Sequence, residues 1–273
     1  MHSHLHLGTS SFSHESWVGP FYPPGTKPSD FLSVYAQRFD TVEIDATFYR
    51  IPSAAQVRNW AAKTPAGFRI AAKVPQVITH EKLLVDCAGE LTAFLKAMDE
   101  LGDRMGPLLF QFPYFKRDTF PSLETFLERL RPFLAQLPGG RPYALEVRNR
   151  AWVSAPLLDL LRGHGIAYAI IDHPWMPTIE ELLKMQDPLT ANFAYVRWLG
   201  DRKGIEKRTK TWEKLIVDRT AEMERWCPAL ARLLTRDIHV WGYFNNHYAG
   251  HAPGSIQLLR EIWRKKSGVE EVP

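Results

Sequence analysis

Short runs rich in apolar, β-branched and aromatic residues recur along the chain, and each is followed by a stretch in which apolar residues return every three or four positions. The first pattern suits a strand covered on both faces, the second an amphipathic helix packed on a core. The strand-like runs are Leu5 to Ser11, Thr41 to Tyr49, Phe68 to Val74, Leu108 to Phe112, Tyr143 to Arg148, Ile166 to Asp172, Phe193 to Leu199 and Ile238 to Phe244. Ser53 and Gln56 form a capping box that opens a helix with Val57, Trp60 and Ala61 on one face. Helical spacing returns at Leu91, Phe94, Leu95 and Met98, at Leu123, Phe126, Leu127 and Leu130, at Leu157, Leu158 and Leu161, and at Ile256, Leu259, Ile262 and Trp263. Eight strands alternating with helices predict an α/β fold: a single closed (β/α)8 barrel of eight parallel strands, in preference to an open sheet.

No Gly/Ser linker, low-complexity tract or short-period repeat divides the chain, so residues 1–273 read as one domain. The longest weakly patterned connection, Leu199 to Val217, is either an ordered lid over the site or a flexible excursion. In the second run, alternation places Glu43, Asp45 and Thr47 on one face and Val42, Ile44 and Ala46 on the other. Carboxylates on a strand of this kind predict a polar cavity.

A hydrophobic content of 45% supports a large core, and no run of about 18 apolar residues marks a membrane span. The start Met1-His2-Ser3-His4-Leu5-His6 lacks the regions of a secretory signal, so a soluble, cytoplasmic protein without a membrane partner is expected. Cys87 and Cys227 lie far apart without metal-ligand spacing and read as reduced structural thiols. The net charge of +4, from 34 basic and 30 acidic residues, tilts the partner toward anions without making the chain a polycation. Basic residues concentrate at Arg202, Lys203, Lys207, Arg208, Lys210 and Lys214, with Trp212 among them. That segment reads first as a solvated surface and second as a phosphate-gripping loop.

In a parallel barrel the C-terminal ends of the strands carry the function. This rule selects Thr9, Ser10 and Ser11, Glu43 and Asp45, Lys73, Gln111, Glu146 and Arg148, Asp172, Arg197, and Asn245 with Asn246. His2, His4 and His6 precede the first of these ends and fall on the opposite, stability face. His80, after Lys73, is placed to bind an anion or move a proton, and His247 and His251 to close the pocket. A structural network of mutually neutralised charges is the competing reading of the same residues.

The chain resembles the YecE-like family, also called domain of unknown function 72, over nearly its whole length. The resemblance is carried by Gly8-Thr9-Ser10-Ser11-Phe12, Trp17-Val18-Gly19-Pro20-Phe21-Tyr22-Pro23, Thr41-Val42-Glu43-Ile44, Thr47-Phe48-Tyr49-Arg50, Thr79-His80, Gly106-Pro107-Leu108-Leu109-Phe110-Gln111-Phe112-Pro113, Glu146-Val147-Arg148 and Tyr243-Phe244-Asn245-Asn246. It implies a TIM barrel and no established reaction. The matched motifs nominate Glu43, Tyr49, Arg50, His80, Gln111, Glu146, Arg148, Asn245 and Asn246. Asp45 stands where an asparagine is expected in many relatives, and Trp198-Leu199-Gly200 where a His-Gly pair is common.

These residues predict a pocket in which Glu43 and Glu146 exchange protons, Lys73, Arg148 and Arg197 orient an anion, and Gln111 and Asn245 supply neutral hydrogen bonds. The expected function is a hydrolase or lyase-like enzyme acting on a small phosphorylated or carboxylated molecule. A nucleic-acid-binding protein or endonuclease IV-like phosphodiesterase is the alternative, and a noncatalytic ligand sensor the second. No cofactor is expected, and a divalent metal is compatible with the pocket without being required. Neither a Walker P-loop nor a dinucleotide fingerprint is present.

Overall fold

The computed structural model describes residues 4–267. Each strand-like run forms a strand: β1 (Leu5–Thr9), β2 (Thr41–Ile44), β3 (Arg69–Lys73), β4 (Met105–Gln111), β5 (Tyr143–Glu146), β6 (Ala167–Asp172), β7 (Phe193–Trp198) and β8 (His239–Phe244). The helices are α1 (Phe31–Tyr35), α2 (Ala54–Ala62), α3 (Ala88–Met98), α4 (Leu123–Ala135), α5 (Ala155–Gly163), α6 (Ile179–Met185), α7 (Arg202–Arg208), α8 (Thr220–Leu234), α9 (Asn246–Ala249) and α10 (Ala252–Ser267). Paired strands all run parallel, in the order β1-β8-β7-β6-β5-β4-β3-β2. A bridge between Ser10 and Glu43 brings β1 back to β2, so the sheet closes into the predicted TIM barrel. No helix among the described residues is long and apolar enough to cross a membrane.

Alternation along each strand separates two apolar layers. Ala71, Leu109, Ala144, Ala167, Ala169, Phe193, Tyr195, Trp241 and Tyr243 face inward and fill the lower barrel. Ile70, Ala72, Leu108, Phe110, Leu145, Ile170, Val196 and Val240 face outward and meet the buried faces of the helices. Those faces include Leu91, Phe94, Leu95 and Met98 of α3 and Phe126, Leu127 and Leu130 of α4, as their spacing predicts. Cys87 and Cys227 are free, buried thiols.

The β1–β2 junction is held in a different way. The Tyr35 hydroxyl from α1 sits between the two strands, accepts from the Thr9 amide at 2.8 Å and donates to the Thr41 carbonyl at 3.1 Å. A phenol thus replaces part of a ladder. Gly8 permits the approach: a Cβ there would lie 2.2 Å from the Thr41 carbonyl oxygen.

Several expectations need correction. Strand β2 stops at Ile44 because Asp45 turns helical at φ −92°, ψ −17°, and Ala46–Phe48 form a 3₁₀ turn. Asp45 and Thr47 therefore do not continue the Glu43 face, and Ala46 is exposed. Thr47 is buried, and its hydroxyl donates to the Ile44 and Lys73 carbonyls, which pins this corner to β3. Ser53 caps α2 by accepting from the Gln56 amide, but the return bond of the predicted box is not among those formed.

The 199–217 connection is ordered. It contains α7, and the Ile216 amide donates to the Ala249 carbonyl. Helix α8, absent from the sequence-based assignment, buries Met223, Trp226, Cys227, Leu230 and Leu233.

Candidate functional site

The strand residues that face inward one pleat above the lower apolar layer are polar. Ala71 leads to Lys73, Leu109 to Gln111, Ala144 to Glu146 and Tyr195 to Arg197, each two residues on and hence on the same face. Glu43 follows Thr41, whose hydroxyl bonds Tyr243 across the barrel at 2.9 Å. Five strands thereby place charged or amide side chains in one layer at the C-terminal mouth.

Arg197 is the centre of that layer. Its Nη2 donates to Glu43 Oε1 at 2.7 Å, and its Nη1 donates to Glu146 Oε2 at 2.7 Å. The second oxygen of Glu43 accepts from the Tyr195 hydroxyl at 2.6 Å, and that of Glu146 accepts from Arg148 Nε at 2.5 Å. Both glutamates are 0% exposed and Arg197 is 3% exposed. Charges this far from water persist only when paired and hydrogen-bonded, as these are. Burial pushes the Glu146 carboxyl up, but Arg148 and Arg197 outweigh it and hold the group at about 2. The two carboxylates, against the desolvation that burial brings, raise Arg197 above the ordinary arginine value.

Lys73 stands beside this network without joining it. Its Nζ lies 3.9 Å from the centroid of the Phe48 ring, and it forms no hydrogen bond or ion pair among the described residues. Burial and the Arg197 charge lower Lys73 to about 8, although Glu43, Glu146 and Asp45 pull the other way. Burial and Glu43 raise Asp45, with Lys73 and Arg197 opposing.

Beside this layer opens a pocket of about 320 Å³ lined by His80, Gln111, Pro113, Tyr114, Arg148, His173 and Trp175. His80 rides on a single π turn, Val77–Glu81, with its Nδ1 2.8 Å from the Thr79 hydroxyl and its ring edge-on to Phe48. Burial, with Lys73 and Arg148 nearby, holds His80 at about 4, so the imidazole is neutral at pH 7. Burial and Arg148 also lower His173. Tyr114 and Trp175 are 64% and 69% exposed and form an aromatic rim. A larger groove of about 590 Å³ lies between α3 and α4 on the outside of the barrel, away from these charges.

Other nominated residues lie elsewhere. Asp172 follows Tyr168 and Ile170 on the outward face of β6 and accepts from Trp226 Nε1 at 2.7 Å and the Tyr248 hydroxyl at 3.3 Å. It anchors α8 and α9 to the barrel instead of entering the mouth. Burial raises its carboxyl despite those two donors.

Tyr49 is 72% exposed, and Arg50 lines a small surface depression with Pro52 and Gln56. The end of β2 at Ile44 turns both away from the charged layer. Asn245 caps α9 through the His247 amide, and the buried Asn246 side chain accepts from the Ala252 amide. The mouth of β8 is therefore braced by its own loop. His247 bonds Glu206 of α7, and His251 bonds the Trp212 carbonyl at 2.7 Å.

Trp212, within the basic segment, is half-buried with its ring against His247. Lys203, Lys207, Arg208, Lys210 and Lys214 are exposed, as a solvated face requires. His4 and His6 lie at the opposite end of the barrel with His239, as expected from their order, whereas His2 lies outside the described residues.

Sequence reasoning missed Tyr195, Phe48, Tyr114, His173 and Trp175. Tyr195 was open to it, because it shares a strand face with Arg197. The others reach the mouth from loops whose course no periodicity encodes. Among the described residues, no group of three or more His, Cys, Asp or Glu is arranged to hold a metal ion.

Comparison with known proteins gives a family and no reaction. The chain is 29% identical over 259 residues to the UPF0759 protein YunF of Bacillus subtilis, an alignment covering 88% of this chain and 89% of that relative. It is 33% identical over 145 residues to the UPF0759 protein YecE of Escherichia coli K12, across 53% of this chain and 48% of that one. The crystal structure of a DUF72 family protein from Thermotoga maritima matches with a TM-score of 0.72 and 27% identity, covering 97% of this chain and 99% of that chain. The family model described as "Protein of unknown function DUF72" matches residues 6–273, and the chain belongs to that family.

Proposed function

We propose that the C-terminal mouth of the barrel is the active site of a hydrolase or lyase-like enzyme whose substrate is a small carboxylated or phosphorylated molecule. The observation that carries this reading is the disposition of Arg148. Its Nε is committed to Glu146, while neither Nη atom has a hydrogen-bond partner among the described residues, and the side chain lines the 320 Å³ pocket. A guanidinium fixed along one edge and open along the other suits a carboxylate or phosphate. Gln111 and the neutral His80 add uncharged polar groups, and Tyr114 and Trp175 offer flat faces to a carbon skeleton.

The roles expected for Glu43 and Glu146 change in this reading. All four of their carboxylate oxygens are bonded, and Glu146 stays ionised at about 2. They fix the arginines and balance their charge. Proton transfer passes to Lys73, held at about 8 and thus close to the working pH that general acid–base catalysis favours.

Calorimetric titration of inorganic phosphate and of small carboxylates into the wild type and Arg148→Met tests the reading. Removing hydrogen bonds to a charged group weakens binding about tenfold or more. Equal affinity in the two proteins, or no binding to the wild type, overturns it.

A further inference from the structure

We infer that Lys73 is a nucleophile, and that its Nζ condenses with the carbonyl carbon of a small keto or aldehyde acid to form an imine. The inference rests on the anion-binding reading of the mouth and narrows its substrate class to carbonyl compounds.

The first ground is a subtraction. Two buried carboxylates lie in the same charged layer, and an ordinary lysine would pair with one of them. Each oxygen already accepts a hydrogen bond, those of Glu43 from Arg197 and Tyr195 and those of Glu146 from Arg197 and Arg148, and Lys73 bonds none of them. Lys73 is left with the π face of Phe48 as its contact. Its backbone is fixed, because Thr47 ties the Lys73 carbonyl to the end of β2 and strand pairing sets Lys73 opposite Leu109.

The second ground is the surroundings. A lysine becomes nucleophilic when it is desolvated or set beside another cation, since both disfavour the ammonium form. Lys73 meets both conditions, half-buried on an aromatic ring with the Arg197 charge nearby. In this inference Arg148, lining the pocket beside the charged layer, holds the acid group of the same molecule. Phe48 touches both Lys73 and His80, which places an imidazole beside the amine.

The Nζ lone pair attacks the carbonyl carbon, a C–N bond forms, and the C=O π pair moves to oxygen, which takes up a proton. Nζ gives up two protons in all, one from the ammonium before the attack and one after it, and the hydroxyl leaves as water once protonated. Lysine ammonium and carbonyl compound become a protonated imine and one water, with no oxidant or reductant. His80, which shares the Phe48 ring with Lys73, is the group placed to relay the protons.

Borohydride reduction in the presence of pyruvate, glyoxylate or dihydroxyacetone phosphate, followed by intact-mass measurement and peptide mapping, tests this. At pH 8 the free-amine fraction of Lys73, held at about 8, is on the order of a hundredfold that of a lysine at 10.5. The expected result is one secondary-amine adduct, mapped to the peptide carrying Lys73 and lost in Lys73→Arg. Arg148→Met lowers the yield with these anions but not with neutral dihydroxyacetone.

No adduct in a protein that still binds phosphate through Arg148 overturns the imine and leaves the anion site standing. Adducts scattered over exposed lysines overturn it equally. Failure of phosphate binding overturns the reading beneath it.

Discussion

Replacing Arg197 by Met removes the guanidinium that bonds both buried glutamates. Glu146 keeps Arg148, whereas Glu43 keeps only the neutral Tyr195 hydroxyl, at 0% exposure. Removing one partner of a buried ion pair costs about 3–5 kcal/mol, because the remaining charge has lost its hydrogen-bonded counterion and gains no water. In a barrel of this size each kcal/mol moves the midpoint by about 2–4 °C, so the melting temperature should fall by about 6–20 °C. The pH dependence is the sharper readout. Unpaired buried carboxylates take up protons at higher pH in the folded variant than in the unfolded chain, so the deficit relative to wild type shrinks as pH falls from 8 to 5. Adding Glu43→Gln should recover part of the loss, and Arg197→Lys should not, since an ammonium lacks the fork that spans two carboxylates. Urea unfolding and thermal melts across that pH range measure all of this. A deficit below about 1 kcal/mol, or one that does not change with pH, refutes the argument that these charges are desolvated together.

Acid should weaken the wild type in two stages. His14, lowered to about 4 by burial with help from His247 and His251, and His80 cost stability as pH drops below 6.5; Glu146, held at about 2, adds its loss below about 4.5, all visible as falling melting temperature. Tyr35→Phe leaves the Thr9 amide and Thr41 carbonyl without their shared partner and should cost about 1–3 kcal/mol in urea unfolding, with faster hydrogen exchange at Thr9. Gly8→Ala forces a methyl to 2.2 Å from a backbone oxygen and should cost about 1–3 kcal/mol or more; a wild-type melting curve would show that the junction yields freely.

The barrel was legible because its strands are covered on both faces and its helices on one, so each announces its period. Lys73, Gln111, Glu146 and Arg197 were legible as polar residues in apolar strands, two positions beyond small or aromatic ones. Alternation fails where the backbone leaves the strand, which is why Asp45 and Thr47 do not share the Glu43 face on which the period of two places them. Asp172 satisfied the strand-end rule but has the wrong parity, and only the positions of Ala167 and Ala169 inside the barrel show it. Helix α8 carries regular spacing from Met223 to Leu233, interrupted in composition by Pro228. Which oxygen bonds which guanidinium, and that Lys73 bonds none of them, is a matter of three-dimensional partition that no linear pattern carries.

The unequal holding of β1 has a consequence for how the protein comes into being. Five register pairs fasten β1 to β8, while its other neighbour is joined by one bridge and a tyrosine hydroxyl. During synthesis β1 is made before its main partner β8, so the nascent chain carries a bare strand edge until β8 follows. Closing the ring pairs the two strands farthest apart in the sequence, the kind of long-range contact whose loop-closure entropy must be met before it rewards the chain.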